Sequence, residues 1–372
     1  MMNDELKAGV RSHESEVRRK EKPACGFIHS GFWILDSVFR FSFIILHSAF
    51  IISLCLSVVI SSHAQKKESV GLFPIRQDGK WGYVNRAGEL AIKPQFDDAW
   101  DFSEGLAYAR SGSHRGLIDK MGKFVVDLQQ VDIAGRFSEG LAPVQTGGQN
   151  PRRGFIDRAG KIVIAPQFDA VENFSEGMAV VMTDRKYGYV DRTGKVVIKL
   201  QFDKAFDFHE GLALVVINNK HGFIDKKGKV VIPAQYYNAY HFSEGLAMVM
   251  VSRKFGYINK SGKMAIEPQF DYGGMFAEGL APIIQANKFG FVDKTGKVII
   301  QPQFDWTDGF SEGLAVIKSK GKYGYIDRTG ALVIAPQFDS AQSFADGVAK
   351  VWLSGKHGYI DKTGKFIWKP TK

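Results

Sequence analysis

Three kinds of side chain recur along this chain at spacings that could build a binding surface. The first is cationic. Lys80, His114, Arg152, Lys186, Lys220, Lys254, Lys288, Lys322 and Lys356 each stand two residues before a glycine. A second basic row, from Arg86 and Lys120 to Arg328 and Lys362, stands four residues after the same glycines. A third, from Lys123 to Lys365, follows a later glycine. Residues that share a repeat position stack into lines, and a line of cations attracts an acidic polysaccharide, lipopolysaccharide or another polyanion. The competing account is that these are solvated turn and strand-edge residues that discourage aggregation. Acidic rows (Asp157, Asp191, Asp225; Glu176, Glu210, Glu244) run beside them and can neutralise them, which favours that account.

The second kind is variable. Trp81, Arg115, Arg153, Tyr187, His221, Phe255, Phe289, Tyr323 and His357 immediately precede the marker glycines. Exposed, the aromatic members could stack on sugar rings or clamp a peptide. Buried, they are packing between sheets, the simpler account. The third kind is the carboxylate of Ser103-Glu104-Gly105, Ser138-Glu139-Gly140 and Ser243-Glu244-Gly245. Calcium needs about six to eight oxygens gathered in one place. One glutamate per repeat does not gather them, so capping of backbone amides at a turn is the better reading.

Catalysis has no foothold in these patterns. The nine histidines lack metal-ligand spacing. No serine sits in a nucleophile elbow, and no glycine-rich phosphate loop follows a strand. A carboxylate repeated in every unit is a poor choice for one unique acid or base. We therefore expect no enzyme, no metal and no cofactor. A non-repeated pair of carboxylates would revive an enzyme, such as a glycan-acting hydrolase. The irregular second unit, with its insertion after Gln145, is the place to look for one.

The elements that position these rows come from one repeated phrase. The marker glycines are Gly82, Gly116, Gly154, Gly188, Gly222, Gly256, Gly290, Gly324 and Gly358, and all spacings are 34 residues except the 38 between Gly116 and Gly154. A fixed period means units that cannot bury their own faces and borrow a core from their neighbours. In one unit, Leu212–Val216, Gly222–Asp225 and Lys229–Ile232 are short runs rich in Val, Ile and aromatics, which read as strands. Asp225-Lys226-Lys227-Gly228 between the last two matches a type I turn. Each unit is thus read as a three-stranded antiparallel meander. A Pro-Gln-Phe-Asp to Phe-Ser-Glu-Gly connector follows, in which Pro ends a strand and Phe304 and Phe310 act as anchors. A helical repeat of the same period is rejected, because each unit carries about three glycines that cost roughly 1 kcal/mol apiece in a helix interior.

Composition bounds the rest. Of the formal charge of +10, the segment before Gln65 contributes seven Lys/Arg against six Asp/Glu, leaving +9 on the array. Both cysteines, Cys25 and Cys55, also precede Gln65, so the array uses no disulfide and no cysteine-bound zinc. Residues 41–60 are almost wholly apolar and long enough to span a bilayer. Arg40 precedes them and Ser61-Ser62-His63-Ala64 follows, the pattern of an export signal cleaved after Ala64 or retained as an anchor. The charged stretch 1–40 is long for a signal, which suggests either an over-early start codon or a short cytoplasmic tail.

These residues resemble the WG-repeat (KWG-repeat) family of bacterial proteins, over Gly71 to about Pro370. Lys80-Trp81-Gly82-Tyr83-Val84-Asn85 is the closest copy of the hallmark, with Asn for Asp. The second copy is degenerate, with Asp127-Leu128-Gln129-Gln130 in place of the connector. The resemblance implies a scaffold or recognition module in exported and surface proteins, and no activity or cofactor.

The expectation is an all-β array of nine repeats over 69–372, preceded by a hydrophobic helix (41–64) and an extension (1–40). Whole units fill the array and no split unit fastens a ring, which favours an open, curved solenoid-like array over a closed propeller-like ring. Functionally it reads as an exported binding or scaffold module at the cell envelope, with protein, envelope glycan or polyanion partners. Nucleic acid is not expected, and membrane contact runs through 41–60 if that segment is uncleaved. A purely structural envelope component is the alternative.

Overall fold

The computed structural model describes residues 71–128 and 131–369. The extension, the export signal and the hydrophobic helix expected at the N-terminus lie outside the described residues. The described residues form nine antiparallel sheets in chain order, one per repeat, with no helix among them.

The fifth sheet shows how the sequence makes a unit. Its strands are Lys204–His209, Leu212–Ile217, Lys220–Asp225 and Val230–Tyr236, paired in that order. The hairpins turn on Glu210-Gly211 and Asn218-Asn219, whose φ values all lie between 50° and 85°. Such two-residue loops carry the twist that antiparallel strands need. The third turn is held by Asp225: its Oδ1 accepts the backbone N–H groups of Lys227 and Lys229, and Gly228 N–H bonds the Asp225 carbonyl.

The structure revises two expectations about the unit. Seven of the nine sheets have four strands rather than three, because the connector itself pairs as a first strand. Proline also does not end the last strand. Pro302 lies within Val298–Phe304. That strand is the edge of its sheet, where a missing backbone donor costs no ladder bond.

The core lies between sheets. Val180, Tyr189, Ile198 and Phe202 of the fourth sheet form one buried cluster with Ala205, Phe208, Ala213, Val215 and Ile224 of the fifth. Comparable clusters join the fifth to the sixth and the sixth to the seventh. Phe208 packs on Tyr189 at 5.0 Å between ring centroids. Burying a ring of this size contributes about 2–3 kcal/mol, and here it is realised only when the neighbouring sheet is present.

The same packing recurs between the last sheet and the first, so the array is a closed ring: a nine-bladed β-propeller. This corrects the open solenoid. Ile75 and Val84 of blade 1 share a buried cluster with Val348 and Tyr359 of blade 9. Arg86 pairs with Asp346 at 2.6 Å, and Tyr359 donates its hydroxyl to the Pro74 carbonyl at 2.8 Å. Trp81 stacks with His357 at 6.2 Å. Closure needs no split unit because it reuses the contacts that join every other pair of blades. Blade 1 has three strands and lacks a first strand among the described residues. There Phe73 stands at the position held by Ala213 in blade 5, and its ring packs on Tyr359 as Phe208 packs on Tyr189.

Candidate functional site

Repeated polar residues mostly join blades. At one end of the blades, Asp203 accepts a hydrogen bond from Lys186 of blade 4 at 2.7 Å and from Asn218 N–H of blade 5 at 2.7 Å. Asp97, Asp305 and Asp339 make the same double contact, with Lys80, Lys288 and Lys322 as the cations. Lys254 pairs with Asp271, and Arg152 with Asp169. Lys220 differs, because Tyr237 stands where the aspartate would be and the ammonium lies over its ring. The first basic row is therefore largely tied into joints between blades. The hydrogen bond from each lysine holds the carboxyls of Asp97, Asp203, Asp271, Asp305 and Asp339 below the ordinary range. Lys356, the last member, is exposed at the start of the third strand of blade 9.

A second set of joints occupies the opposite end. Glu176, Glu210, Glu244 and Glu278 each accept the N–H of the turn glycine in the following blade, Gly211, Gly245, Gly279 and Gly313, at 3.0 Å. Lys226, Lys260, Lys294 and Lys362 of the second basic row pair with Glu176, Glu210, Glu244 and Glu312 at 2.9–3.2 Å. The glutamates do cap turn amides, across the blade boundary rather than within their own turn. Ser175, Ser243 and Ser311 add hydrogen bonds to the carbonyls of Phe208, Phe276 and Phe344 in the next blade.

The variable row is only partly covered. Phe255 is buried, whereas Trp81, Tyr187, His221, Phe289, Tyr323 and His357 are half-buried. Trp81, Tyr187, His221, Phe255, Phe289 and Tyr323 each stand opposite an aromatic residue of the edge strand, as Tyr187 stands opposite Phe202 and Phe255 opposite Phe270. Burial lowers the basicity of His221 and His357.

The residues that differ most from blade to blade lie on the first strands and the segments that take their place. These segments contact their counterparts around the ring axis: Arg136 pairs with Asp101, His209 stacks on His241 at 3.9 Å, and the hydroxyls of Tyr240 and Tyr272 are 3.2 Å apart. Together they wall the central channel. Asp207 is partly buried with Oδ1 unpaired, and desolvation, with Glu172 nearby, raises its carboxyl above the ordinary range. Burial pushes His241 down to about 4, with His209 adding to the effect. Across the closing seam, Lys350 is held below the ordinary lysine range by burial, partly opposed by Asp101.

A cavity of about 550 Å³ opens on this wall in blades 6 to 8, lined among others by Tyr240, Tyr272, Met275, Trp306 and Asp308. The irregular second and third units enclose only about 20 Å³, beside Trp100, Tyr108 and Asp101, and Asp101 is paired there with Arg136. Among the described residues, no group of three or more His, Cys, Asp or Glu is placed to hold a metal ion. Reading the repeat singled out its regular positions and missed the channel wall. The available signal was the opposite one: connector positions where the repeat breaks, such as Tyr272, Trp306 and Gly309.

Comparison with known proteins agrees with this architecture. A family model described as WG containing repeat matches eight times, at 81–113, 116–149, 154–187, 187–220, 222–254, 255–289, 289–323 and 323–356. No curated protein matches the chain. Among solved structures, the chain is similar to one described as the eukaryotic initiation factor, at 13% identity and a TM-score of 0.59, covering 81% of this chain and 95% of that one. Weaker likenesses include Kluyveromyces lactis Hsv2p (7% identity, TM-score 0.39, 62% of this chain and 92% of that one). Another is PorZ, a surface component of the type-IX secretion system of Porphyromonas gingivalis (11%, 0.32, 79% and 44%). At these identities the first likeness bears on the fold alone, and the other two carry no argument.

Proposed function

Starting from the fact that this chain belongs to the WG-repeat family, we propose that it is a non-enzymatic binding or scaffold module, exported to the cell envelope, with protein or glycan partners. One observation carries the reading: the repeated polar residues are spent joining blades, while the connector side chains that differ between blades gather on the channel wall. A ring that is structurally uniform outside and individual at its axis suits recognition better than a passive spacer. The pairing of the basic rows also leaves less free cationic surface than the formal charge suggests, which favours a protein or neutral glycan over a polyanion. Export is supported by the apolar run at 41–60 and the Ser61-Ser62-His63-Ala64 that follows it.

The test is a binding screen of the purified protein against envelope glycans and polyanions, with crosslinking in intact cells for protein partners. A specific, saturable partner is the expected result. A polyanion partner whose affinity collapses with salt would return the basic rows to the centre of the account. No partner in either screen would leave the structural envelope component as the better reading, and turnover of any screened glycan would overturn the non-enzymatic one.

A further inference from the structure

The cavity on the channel wall of blades 6 to 8 contains a residue that packing does not explain. Gly309 faces it, at a position where the equivalent residues, among them Asp101, Arg136, Asp207 and Met275, carry side chains. Its φ is outside the left-handed region, and an added Cβ would meet only the Ala277 Cβ, at an ordinary 3.6 Å. Neither backbone conformation nor crowding therefore requires glycine, and glycine in a strand carries an entropic cost. Gly274 nearby is different, since a Cβ there would lie 2.5 Å from Pro282 Cγ. What Gly309 provides is room.

We propose that this cavity binds a neutral sugar unit of a glycan, with the ring face stacked on Trp306 and Tyr272 and the hydroxyls meeting Asp308. The proposal rests on the reading of the protein as a binding module and gives that module a site. At about 550 Å³ the space falls within the range of small-molecule sites. Trp306 and Tyr272 are each 37% exposed, at a connector position where blades 4 and 5 have Ala170 and Lys204. Their rings are held in place, Tyr272 by Tyr240 and Phe255, and Trp306 by Tyr323, so little side-chain freedom is lost on binding.

The polar part of the site is fixed as well. Asp308 accepts the Gly309 N–H at 2.9 Å through Oδ1 and the Ser343 hydroxyl at 3.3 Å through Oδ2. Its carboxylate is the only formal charge in the lining while His241 is neutral. An anionic ligand would be repelled there. A sugar presents C–H groups on one face to an aromatic ring and hydroxyl donors at its edge to a carboxylate, which matches this arrangement. A cation is the competing class, since Tyr240 and Tyr272 meet edge to face at 88° beside the Asp308 carboxylate, and a tetramethylammonium titration decides between the two.

The experiment titrates the full-length protein with chitohexaose, cellohexaose and maltohexaose, followed by tryptophan fluorescence and calorimetry. It is repeated on Trp306→Ala, on Gly309→Leu, which fills the cavity without straining the backbone, and on Val197→Thr in a distant edge strand. Circular dichroism checks that each variant is folded. At least one hexasaccharide is expected to bind, with Trp306→Ala and Gly309→Leu each weakening it about ten-fold or more and Val197→Thr leaving it unchanged. Raising salt from about 50 to 500 mM should change the affinity by less than about two-fold. Saccharide binding that survives both cavity variants overturns the site but leaves the binding module standing. Binding of tetramethylammonium and of no saccharide gives the cavity to a cation and overturns the proposal. If no saccharide binds while a crosslinked protein partner is retained equally by both variants, the cavity fails and the broader reading survives. Absence of any ligand or partner overturns both.

Discussion

The glutamate of the Ser-Glu-Gly turn shows how a single residue can serve a contact outside its own strand pair. Glu244 adopts φ of 52°, a region that favours Gly, Asn or Asp. It stays there because its carboxylate reaches the next blade, accepting Gly279 N–H and pairing with Lys294. Burial alone would raise this carboxyl; the contacts with Lys294 and Gly279 outweigh it and hold it below the ordinary glutamate range. Glu244→Ala should cost about 1–2 kcal/mol. Glu244→Asn, which relieves the backbone but falls short of the neighbour, should recover little of that, as chemical denaturation of the three proteins would show. Titration adds a second expectation. His241 is held from 6.5 down to about 4, so between those values the unfolded chain takes up a proton that the folded one refuses. Stability should therefore fall as pH drops through that window. The depressed carboxyls of Glu244, Asp203 and their equivalents are fully ionised above the unfolded carboxylate pKa, near 4, and their contribution is lost below it. Melting temperature against pH should show both slopes, with His241→Gln weakening only the upper one, to which the depressed His221 and His357 also contribute.

At the scale of the element, the marker glycine has a steric origin. A Cβ on Gly188 would lie 2.6 Å from the Ile198 carbonyl oxygen and 2.8 Å from Leu200 N, where the edge strand bulges against the third strand. Gly194 is fixed differently, by φ of 85° in the Asp191 turn, with Ile164 of the preceding blade 3.1 Å from an added Cβ. Gly188→Ala should therefore cost about 2–4 kcal/mol, because main chain must move. Gly194→Ala should cost about 1–2 kcal/mol from its backbone conformation. Equal losses in calorimetry would contradict this assignment of the two roles. The strands and turns themselves were legible from Val/Ile-rich runs and Asp-X-X-Gly spacing. The first strand was not, because connector residues such as Lys204–His209 show no strand-like apolar run; they pair with Leu212–Ile217 of their own blade, and the preceding blade supplies the burial of Ala205 and Phe208 that holds them there.

At the scale of the molecule, stability depends on the seam between blade 9 and blade 1. Phe73→Ala installs the residue found at this position in the other blades, yet it should cost about 2–4 kcal/mol, because no described residue replaces the ring against Tyr359. A broadened or two-step melting curve would accompany the loss if the seam opens before the rest. Closure can also be trapped. With Cys25 and Cys55 removed, Arg86→Cys and Asp346→Cys should be bridged within one molecule by a short bis-maleimide, since the native side chains meet at 2.6 Å. Only intermolecular products from a folded sample would contradict the ring.

The sequence by itself determined the family, the all-β character, the number of units and the turns, because each of these depends on local spacing and steric need within one repeat. The tertiary structure decided three further things. It closed the array, since closure depends on how small rotations between blades sum around the axis, and no single repeat records that sum. It tied most of the first basic row into inter-blade pairs, since Lys186 and Asp203 are brought together by the path of the edge strand between them. It also turned Tyr272, Trp306 and Gly309 from irregularities in a connector into neighbours on one wall, because residues 34 apart in sequence become adjacent only when the blades stand side by side.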